Sequence, residues 1–418
     1  MKRTAAARMD AEDPLAGLRD RFHVPADDDL IYLDGNSLGR LPLATADRLQ
    51  EVVSREWGER LIRSWNEHWF DLPGRVGDLI GSHLLGAAPG QVVVADSTTV
   101  NFYKVAVAAM EAAAPRRTMV TDVGNFPTDR YVLEGIAAAH EATVRFVAFD
   151  AIEGATPAAV AGAIDGDTAF VALSHVDYSS GALADMAAIN AVAAAAGTRV
   201  VWDLSHSAGA VPVELDAAGT DLAVGCTYKY LNGGPGAPAY LYVRRDVQEG
   251  MCPPIWGWFG QRDQFAMGQG YDPVPGVGRF LSGTPNVLGA VAVEEGVGLL
   301  AEAGIERLRA KGIALAELAV VLTDAWLTDL GFRVASPRDP LRRGSHVSLA
   351  HPDAYRICRA LIQTQNVVPD FRAPDRLRLG FAPITTRFVD VWDAFDRLRR
   401  LVEKGSYLDL VLPTLPVT

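Results

Sequence analysis

The middle of this chain sets the strongest limit on its fold. Seven short apolar runs recur there, at 92–95, 118–121, 144–149, 169–173, 200–202, 222–226 and 239–243, most of them separated by a segment of helix length. Three of the separators, 100–114, 129–140 and 185–196, carry apolar residues at the 3.6-residue spacing of helices that pack on a sheet. Strand–helix alternation at that pitch implies right-handed crossovers and a mostly parallel sheet. The runs 222–226 and 239–243 break the pattern, because only a Gly/Pro-rich loop joins them. They are predicted to pair antiparallel at one side of the sheet. The expected fold class is α/β, a mostly parallel seven-stranded sheet sandwiched by helices.

The two ends read differently. Residues 45–64 look like one long helix. After the Gly/Pro-rich stretch 268–286 come helical patterns at about 288–301, 303–329, 352–365 and 389–404, with strand-like pieces at 345–349 and 376–380. This organisation assigns 1–70 and 295–418 to a smaller α+β domain built from both ends, and 71–294 to the large domain.

Charge and composition exclude several functions. With 39 Lys+Arg against 51 Asp+Glu the formal charge is −12, so the overall field repels nucleic acid and anionic membrane surfaces. An anionic ligand must then be held by a local site. The three cysteines lack CxxC spacing, and the eight histidines form no HExxH, which disfavours disulfide frameworks, zinc sites and metal hydrolases. No apolar run is long enough to span a membrane, and 1–8 lack the apolar core of an export signal. A cytoplasmic protein with a small-molecule ligand and no metal is expected.

Lys229 is the most informative position. The chain strongly prefers Arg, yet among its five lysines one stands directly after an apolar strand, in Thr-Tyr-Lys-Tyr-Leu-Asn-Gly-Gly at 227–234. An amine, unlike a guanidinium, can lose its proton and form a Schiff base. Upstream, the run 200–202 ends in Asp203, with His206 three residues on. In a doubly wound sheet an acid at that place points into the ligand crevice, where it suits a protonated ring nitrogen. Asp96-Ser-Thr-Thr99 opens a helix after the first strand, and hydroxyls with free N–H groups there form a phosphate site. Asn125-Phe-Pro-Thr-Asp129, after the second strand, adds an aromatic face and a carboxylate. A phosphate cradle, an aromatic face, an acid for a ring nitrogen and a Schiff-base lysine together match the requirements of pyridoxal 5′-phosphate. No GxGxxG follows the first strands, which lowers the competing dinucleotide reading.

With these residues in place, the sequence resembles the kynureninase family, in the aminotransferase class V group of fold-type I pyridoxal-phosphate enzymes. The resemblance runs from YLDGNSLG at 32–39 to RLGFAP at 378–383, and its most specific stretches are 99–101, 126–129, 203–206, 228–232 and 257–260. It implies Lys229 as the Schiff-base lysine and base at Cα, Asp203 as partner of the pyridine nitrogen, and Tyr228 as proton donor to Cβ. The cofactor-contacting positions are Thr98, Thr99, Phe126, Asp129, Ser174, Asp203, His206, Tyr228, Lys229, Trp258 and Thr284, with Trp258 and Thr284 reaching over from the neighbouring subunit of a homodimer. Arg378 matches the arginine that grips the substrate carboxylate, a task suited to a bidentate guanidinium. Trp65, Gly283 and Thr284 match positions lining the aryl pocket, with Trp69 the alternative occupant. The implied reaction is hydrolysis of L-kynurenine to anthranilate and L-alanine, a step of tryptophan catabolism and the kynurenine pathway toward NAD biosynthesis, with L-kynurenine preferred over its 3-hydroxy derivative. Two alternatives are a cysteine desulfurase or selenocysteine lyase of the same group and a non-catalytic binding protein with this fold. The first needs a nucleophilic cysteine before the carboxylate-binding region. The stretch 367–372 has none, and Cys358 falls in a helical pattern.

Overall fold

The computed structural model of the protein describes residues 2–24 and 29–410. In chain order its elements are α1 (Arg3–Ala11), β1 (Ile31–Tyr32), α2 (Leu43–Glu51), α3 (Leu72–Ile80), β2 (Val92–Ala95), α4 (Thr98–Ala112), β3 (Thr118–Asp122), α5 (Pro127–His140), β4 (Thr143–Val147), α6 (Pro157–Ala163), β5 (Thr168–Ser174), α7 (Met186–Ala195), β6 (Arg199–Asp203), β7 (Leu222–Gly225), β8 (Ala239–Val243), α8 (Val287–Ala303), α9 (Ile305–Trp326), β9 (Arg333–Val334), β10 (His346–Ala350), α10 (Ala354–Gln365), β11 (Val367–Val368), β12 (Asp370–Arg372), β13 (Arg376–Gly380) and α11 (Phe388–Glu403).

Each apolar run of the middle becomes a strand, and together they form one seven-stranded sheet in the order β2-β8-β7-β6-β5-β3-β4. Successive residues of a strand serve opposite faces. Met119, Phe170, Ala172 and Val201 pack with Val105 of α4 and Leu133 of α5. Their neighbours Val120, Val171, Leu173, Val200 and Trp202 pack on the other face with Ile189 of α7, Val76 of α3 and Val293 of α8. Burial on both faces explains why these strands read as continuous apolar runs.

β8 is antiparallel to both its neighbours, and every other pairing that joins β7, β6, β5, β3 and β4 is parallel. The expected reversal of 239–243 is therefore present, but not at the margin of the sheet. β2 lies outside β8 and forms the edge. All five residues of β8 are buried.

The expected single helix over 45–64 is also corrected. α2 ends at Glu51, wider π-type turns run over Val52–Arg60, Leu61 breaks the path with φ +55°, and a second wide turn spans Trp65–Trp69. The local cause is Glu56. Its buried carboxylate accepts from Trp69 Nε1 at 2.6 Å and pairs with Arg48 at 2.6 Å, while Ser64 Oγ donates to its carbonyl at 2.7 Å. A regular helix cannot bring residues 56, 64 and 69 onto one another.

β12, β13, β10 and β9 form a smaller antiparallel sheet in that order. Its core includes Leu315 of α9, Ile357 of α10, Val391 of α11 and Ala6 of α1. β1 joins this body by pairing parallel with β11. The N-terminal segment serves both cores, since Ala6, Ile31 and Leu33 belong to the smaller one while Leu15, Phe22, Val52 and Trp69 belong to the larger. It is fastened by Asp10, which accepts from the first N–H groups of α11 (Phe388 2.7 Å, Val389 3.0 Å), and by a buried Asp13–Lys311 pair at 2.6 Å. Among the described residues no helix is long and apolar enough to cross a membrane.

Candidate active site

Because β2, β3, β5, β6 and β7 point the same way, their carboxyl ends open on one rim, where ligands bind in sheets of this kind. A cavity of about 150 Å³ lies there, lined by Ser97, Thr98, Thr99, Phe126, Thr128, Asp129, Ser174, Tyr178, Asp203, Ser205, His206, Tyr228 and Lys229. Nine positions singled out from the sequence thus meet at one place: Thr98, Thr99, Phe126, Asp129, Ser174, Asp203, His206, Tyr228 and Lys229.

Lys229 reaches it from a tight loop after β7. Thr227 Oγ1 donates to Pro238 O at 2.7 Å, Gly233 N donates to Thr227 O at 2.9 Å, and Asn232 takes φ +56°. Asn tolerates the left-handed region, and its side chain closes the turn on Tyr230 O at 2.8 Å. The N-terminal segment covers the loop from outside. Gly39 N donates to Tyr228 O at 2.8 Å, and a Cβ at Gly39 would stand 2.3 Å from Lys229 O, so only glycine allows this approach. Lys229 Nζ lies 2.9 Å from His206 Nε2 and 5.8 Å from the centre of the Phe126 ring. Burial and then the Lys229 charge push His206 well below its ordinary range, which keeps the imidazole neutral.

Two acids flank the lysine. Asp203, at the end of β6, accepts from Ser205 N at 2.8 Å. Asp129 lies in the first turn of α5 and is nearly inaccessible, and its Oδ2 has no partner. Burial first and the Asp203 charge second raise Asp129 well above the carboxylate range. Ser97 caps α4 by accepting from Val100 N at 3.4 Å, which leaves the N–H groups of Thr98 and Thr99 turned outward at the positive end of the helix. Ser174 donates to Asn125 Oδ1 at 2.8 Å, and Asn125 donates to Thr121 at 3.2 Å, locking the β3 and β5 ends together. Burial raises the Tyr228 phenol, which stays protonated.

The remaining positions lie elsewhere. Gly283 and Thr284 line a larger cavity of about 440 Å³ beside the first, together with Thr98 and Tyr228. Trp65 lines neither. It packs edge-on to Trp69 at 5.5 Å and against Phe259 at 6.1 Å, while Trp69 is buried with its N–H on Glu56. Trp258 stands 45% exposed on the surface, lines neither cavity, and packs edge-on against Phe259 at 4.9 Å. Arg378, on β13, is fully buried and already has several hydrogen-bond partners. Nη1 donates to Tyr178 O at 2.7 Å, and Nη2 donates to Ser37 Oγ at 2.9 Å and to Asp370. Sequence reasoning missed Tyr178, Asn125 and Asp370, which sit in loops and short strands without periodicity. Asn125 alone had a signal, as the residue opening the 125–129 turn. Cys358 lies buried in α10 with its thiol 3.9 Å from Pro369 O.

A lysine, a neutral histidine, two acids and a helix N-terminus on the rim of a mostly parallel sheet define a pyridoxal-phosphate protein of fold type I. Solved structures with this fold include the cysteine desulfurase from Thermococcus onnurineus NA1 (TM-score 0.79, 18% identity, 93% of this chain and 98% of that one). The cysteine desulfurase CsdA from Escherichia coli is similar (TM-score 0.78, 19% identity, 95% and 99%). Sequence relatives narrow the class. The chain is 42% identical over 410 residues to the kynureninase of Burkholderia pseudomallei, covering 97% of this chain and 96% of that protein. It is 42% identical over 406 residues to the kynureninase of Pseudomonas fluorescens, covering 96% and 95%. The family described as "Kynureninase C-terminal domain" matches residues 308–398. The chain belongs to the kynureninase family.

Proposed function

We propose that this protein hydrolyses L-kynurenine to anthranilate and L-alanine by cleaving the Cβ–Cγ bond, with pyridoxal 5′-phosphate as its cofactor. The observation that carries this reading is the meeting of Lys229, His206, Asp129 and Asp203 with the α4 N-terminus at one cavity, in a chain whose full-length relatives are kynureninases. The cavity suits the cofactor chemically. Asp129 Oδ2 and His206 Nδ1 are buried without partners, and the first N–H groups of α4 are free for a phosphate.

When bound, the cofactor supplies an electron sink conjugated to the substrate Cα. Lys229 would hold it covalently and, once displaced by the substrate amine, would take the proton from Cα with its freed amine. Asp203 keeps a proton at the ring nitrogen, and burial raises the Asp129 carboxyl beside it well above the usual carboxylate range. Phe126 offers its ring face, and Thr98, Thr99 and Ser174 hold the cofactor's polar groups. Tyr228, protonated across the working pH range, delivers a proton to Cβ as the bond breaks. Arg378 takes the substrate carboxylate. A cytoplasmic location accords with this chemistry.

We further propose that 1–70 and 295–418 form a smaller domain and 71–294 the large one. The outermost positions of the smaller domain, Met1 and 411–418, lie outside the described residues. A homodimer is favoured by the exposed aromatic surface of Trp256 (70%), Trp258 (45%) and Phe265 (69%).

The test is anthranilate release from L-kynurenine with alanine measured in parallel. The same assay with 3-hydroxykynurenine tests the aryl pocket. Trp65, Gly283 and Thr284 offer no amide to a ring hydroxyl, so kcat/KM is expected to favour L-kynurenine by about 5- to 150-fold. Equal values would assign selectivity to other residues.

A further inference from the structure

Arg378 is nearly saturated before any substrate arrives. Of its five N–H groups, both on Nη2 are taken by Ser37 Oγ and Asp370 Oδ2, and one on Nη1 by Tyr178 O. With the Asn36 amide oriented so that both of its ends are paired, its oxygen accepts from Arg378 Nε at 3.1 Å and its nitrogen donates to Asp34 Oδ1 at 3.1 Å. One N–H, on Nη1, is left. A bidentate clamp needs two parallel N–H groups, so Arg378 in this arrangement offers a carboxylate a single hydrogen bond.

The charge balance points the same way. Asp370 Oδ2 is bonded to Arg378 Nη2, and Asp34 Oδ1 stands 3.9 Å from that nitrogen. One guanidinium between two carboxylates is net negative when both are ionised, which repels an incoming carboxylate. A second cation sits beside them. Arg372 Nη2 lies 2.8 Å from the same Asp370 oxygen, and its guanidinium lies 6.0 Å from the centre of the Tyr178 ring. Tyr178 lines the Lys229 cavity and meets Phe126 edge-on at 5.3 Å. The Arg372 charge is felt across this distance, since it helps to hold His206 and His346 neutral. Its side chain is 34% accessible, against 1% for Arg378, and its buried Nε has no partner, so the accessible part of the group is its Nη end, of which Nη2 pairs with Asp370. Beside Arg378 it is the arginine with donors to spare.

We propose that Arg372 is a second carboxylate-binding arginine of this site: the α-carboxylate of the amino-acid substrate takes one N–H from Arg378 Nη1 and its other charge-assisted hydrogen bonds from Arg372, which Asp370 tethers beside it. This rests on the reading that the substrate is L-kynurenine. Asp370 then has a definite task, holding two guanidinium groups at a fixed separation so that neither must be ordered when substrate binds.

The test compares wild type, Arg372→Gln and Arg372→Lys as cofactor-loaded proteins, with L-kynurenine and its α-carboxamide as substrates. Loss of a charge-assisted bond to the carboxylate is expected to raise KM for L-kynurenine by about tenfold or more in Arg372→Gln, with kcat within about threefold. The carboxamide, which carries no charge there, should change by less than about threefold, and Arg372→Lys should recover most of the loss. Equal losses on both substrates, or a KM for the acid within about twofold of wild type, would overturn the assignment. If Arg372→Gln does not fold, Arg372→Lys decides, because a loss confined to the acid supports the proposal and an equal loss on both substrates ends it. A wild type that releases no anthranilate would strike the reading beneath instead. Calorimetry with L-alanine, which presents the same carboxylate, still tests Arg372 in that case: about tenfold weaker binding by Arg372→Gln is expected, and unchanged binding would refute it.

Discussion

Lys229 and Lys104 are both rare lysines in an arginine-rich chain, and their surroundings separate them. Lys104 is wholly buried, donating to Asp96 at 2.5 Å and to Phe280 O at 2.7 Å, which commits it to joining α4 to the 280 segment. Among the described residues Lys229 Nζ has a hydrogen-bond-distance contact to His206 alone, and it faces the cavity. Lys229→Ala should therefore abolish the borohydride-fixed cofactor adduct seen by mass spectrometry, and a mutant still labelled at full stoichiometry would show that another lysine holds it. The residues around Lys229 were legible because each follows the end of an apolar strand, so counting residues from the strand places it on the rim. Asp370, Arg372 and Tyr178 were not, since their partners lie up to 200 positions away and no local pattern announces them. Asp34 shows what such a cluster costs. Burial first and the Asp370 charge second raise its pKa from 3.8 to about 6. Because the folded value lies above the unfolded one, the folded state binds more protons between these values, and stability falls as pH rises through them. The penalty is complete above about pH 6, where two units correspond to about 3 kcal/mol, and absent below about pH 4. Asp34→Asn should accordingly raise the apparent Tm more at pH 7.5 than at pH 4.5, and a gain that is larger at the acidic pH would contradict this account.

The helices divide by how far local rules decide them. α4 begins where Ser97 provides a cap, and α8 where Asn286 accepts from Gly289 N at 3.0 Å, so their starts are written in the sequence. The stretch 45–64 carries an equally regular apolar pattern but is interrupted, because the pattern is blind to a charged residue that must turn inward. Glu56 is drawn into the interior by Trp69 and Arg48, and the chain accommodates it with wide turns and a reversal at Leu61. Leu61 pays for that reversal. Its φ of +55° with ψ −131° is a region that suits glycine, and its side chain is 56% exposed and recovers little by packing. Leu61→Gly is expected to stabilise the protein by about 1 kcal/mol, less the added entropy of the unfolded glycine, read as a higher apparent Tm with the fold unchanged. A lower Tm would mean that Leu61 is covered in the assembled protein, or that the strain is relieved elsewhere.

At the scale of the whole molecule, the positions expected to line one aryl pocket do not meet at one cavity of the chain. Trp65 and the Gly283–Thr284 pair, read together from the sequence as one aryl pocket, do not line the same cavity, and Trp258 is 45% exposed and lines neither described cavity. The exposed rings are not loose. Trp258 rests on Phe259 and Phe265, Phe259 on Trp65 and Phe70, and Trp256 stacks on Tyr271 at 5.2 Å. A rigid aromatic surface that stays uncovered is costly in water and suits an interface. No periodicity could have shown this, because the sequence records which residues are apolar and not which copy of the chain covers them. A two-fold dimer is expected, in which each Trp258 reaches the cavity of the other chain. Lys229→Ala and Trp258→Ala proteins should then each be nearly inactive alone. Mixed subunits should recover activity, since a heterodimer contains one site with both residues intact. Random assortment of equal amounts makes half of the dimers hybrid with one competent site each, so recovery should approach about a quarter of the wild-type rate. Hybrids verified by tag-based separation that show no gain over the parents would place Trp258 in the service of its own chain, and the exposed aromatic surface would need another occupant.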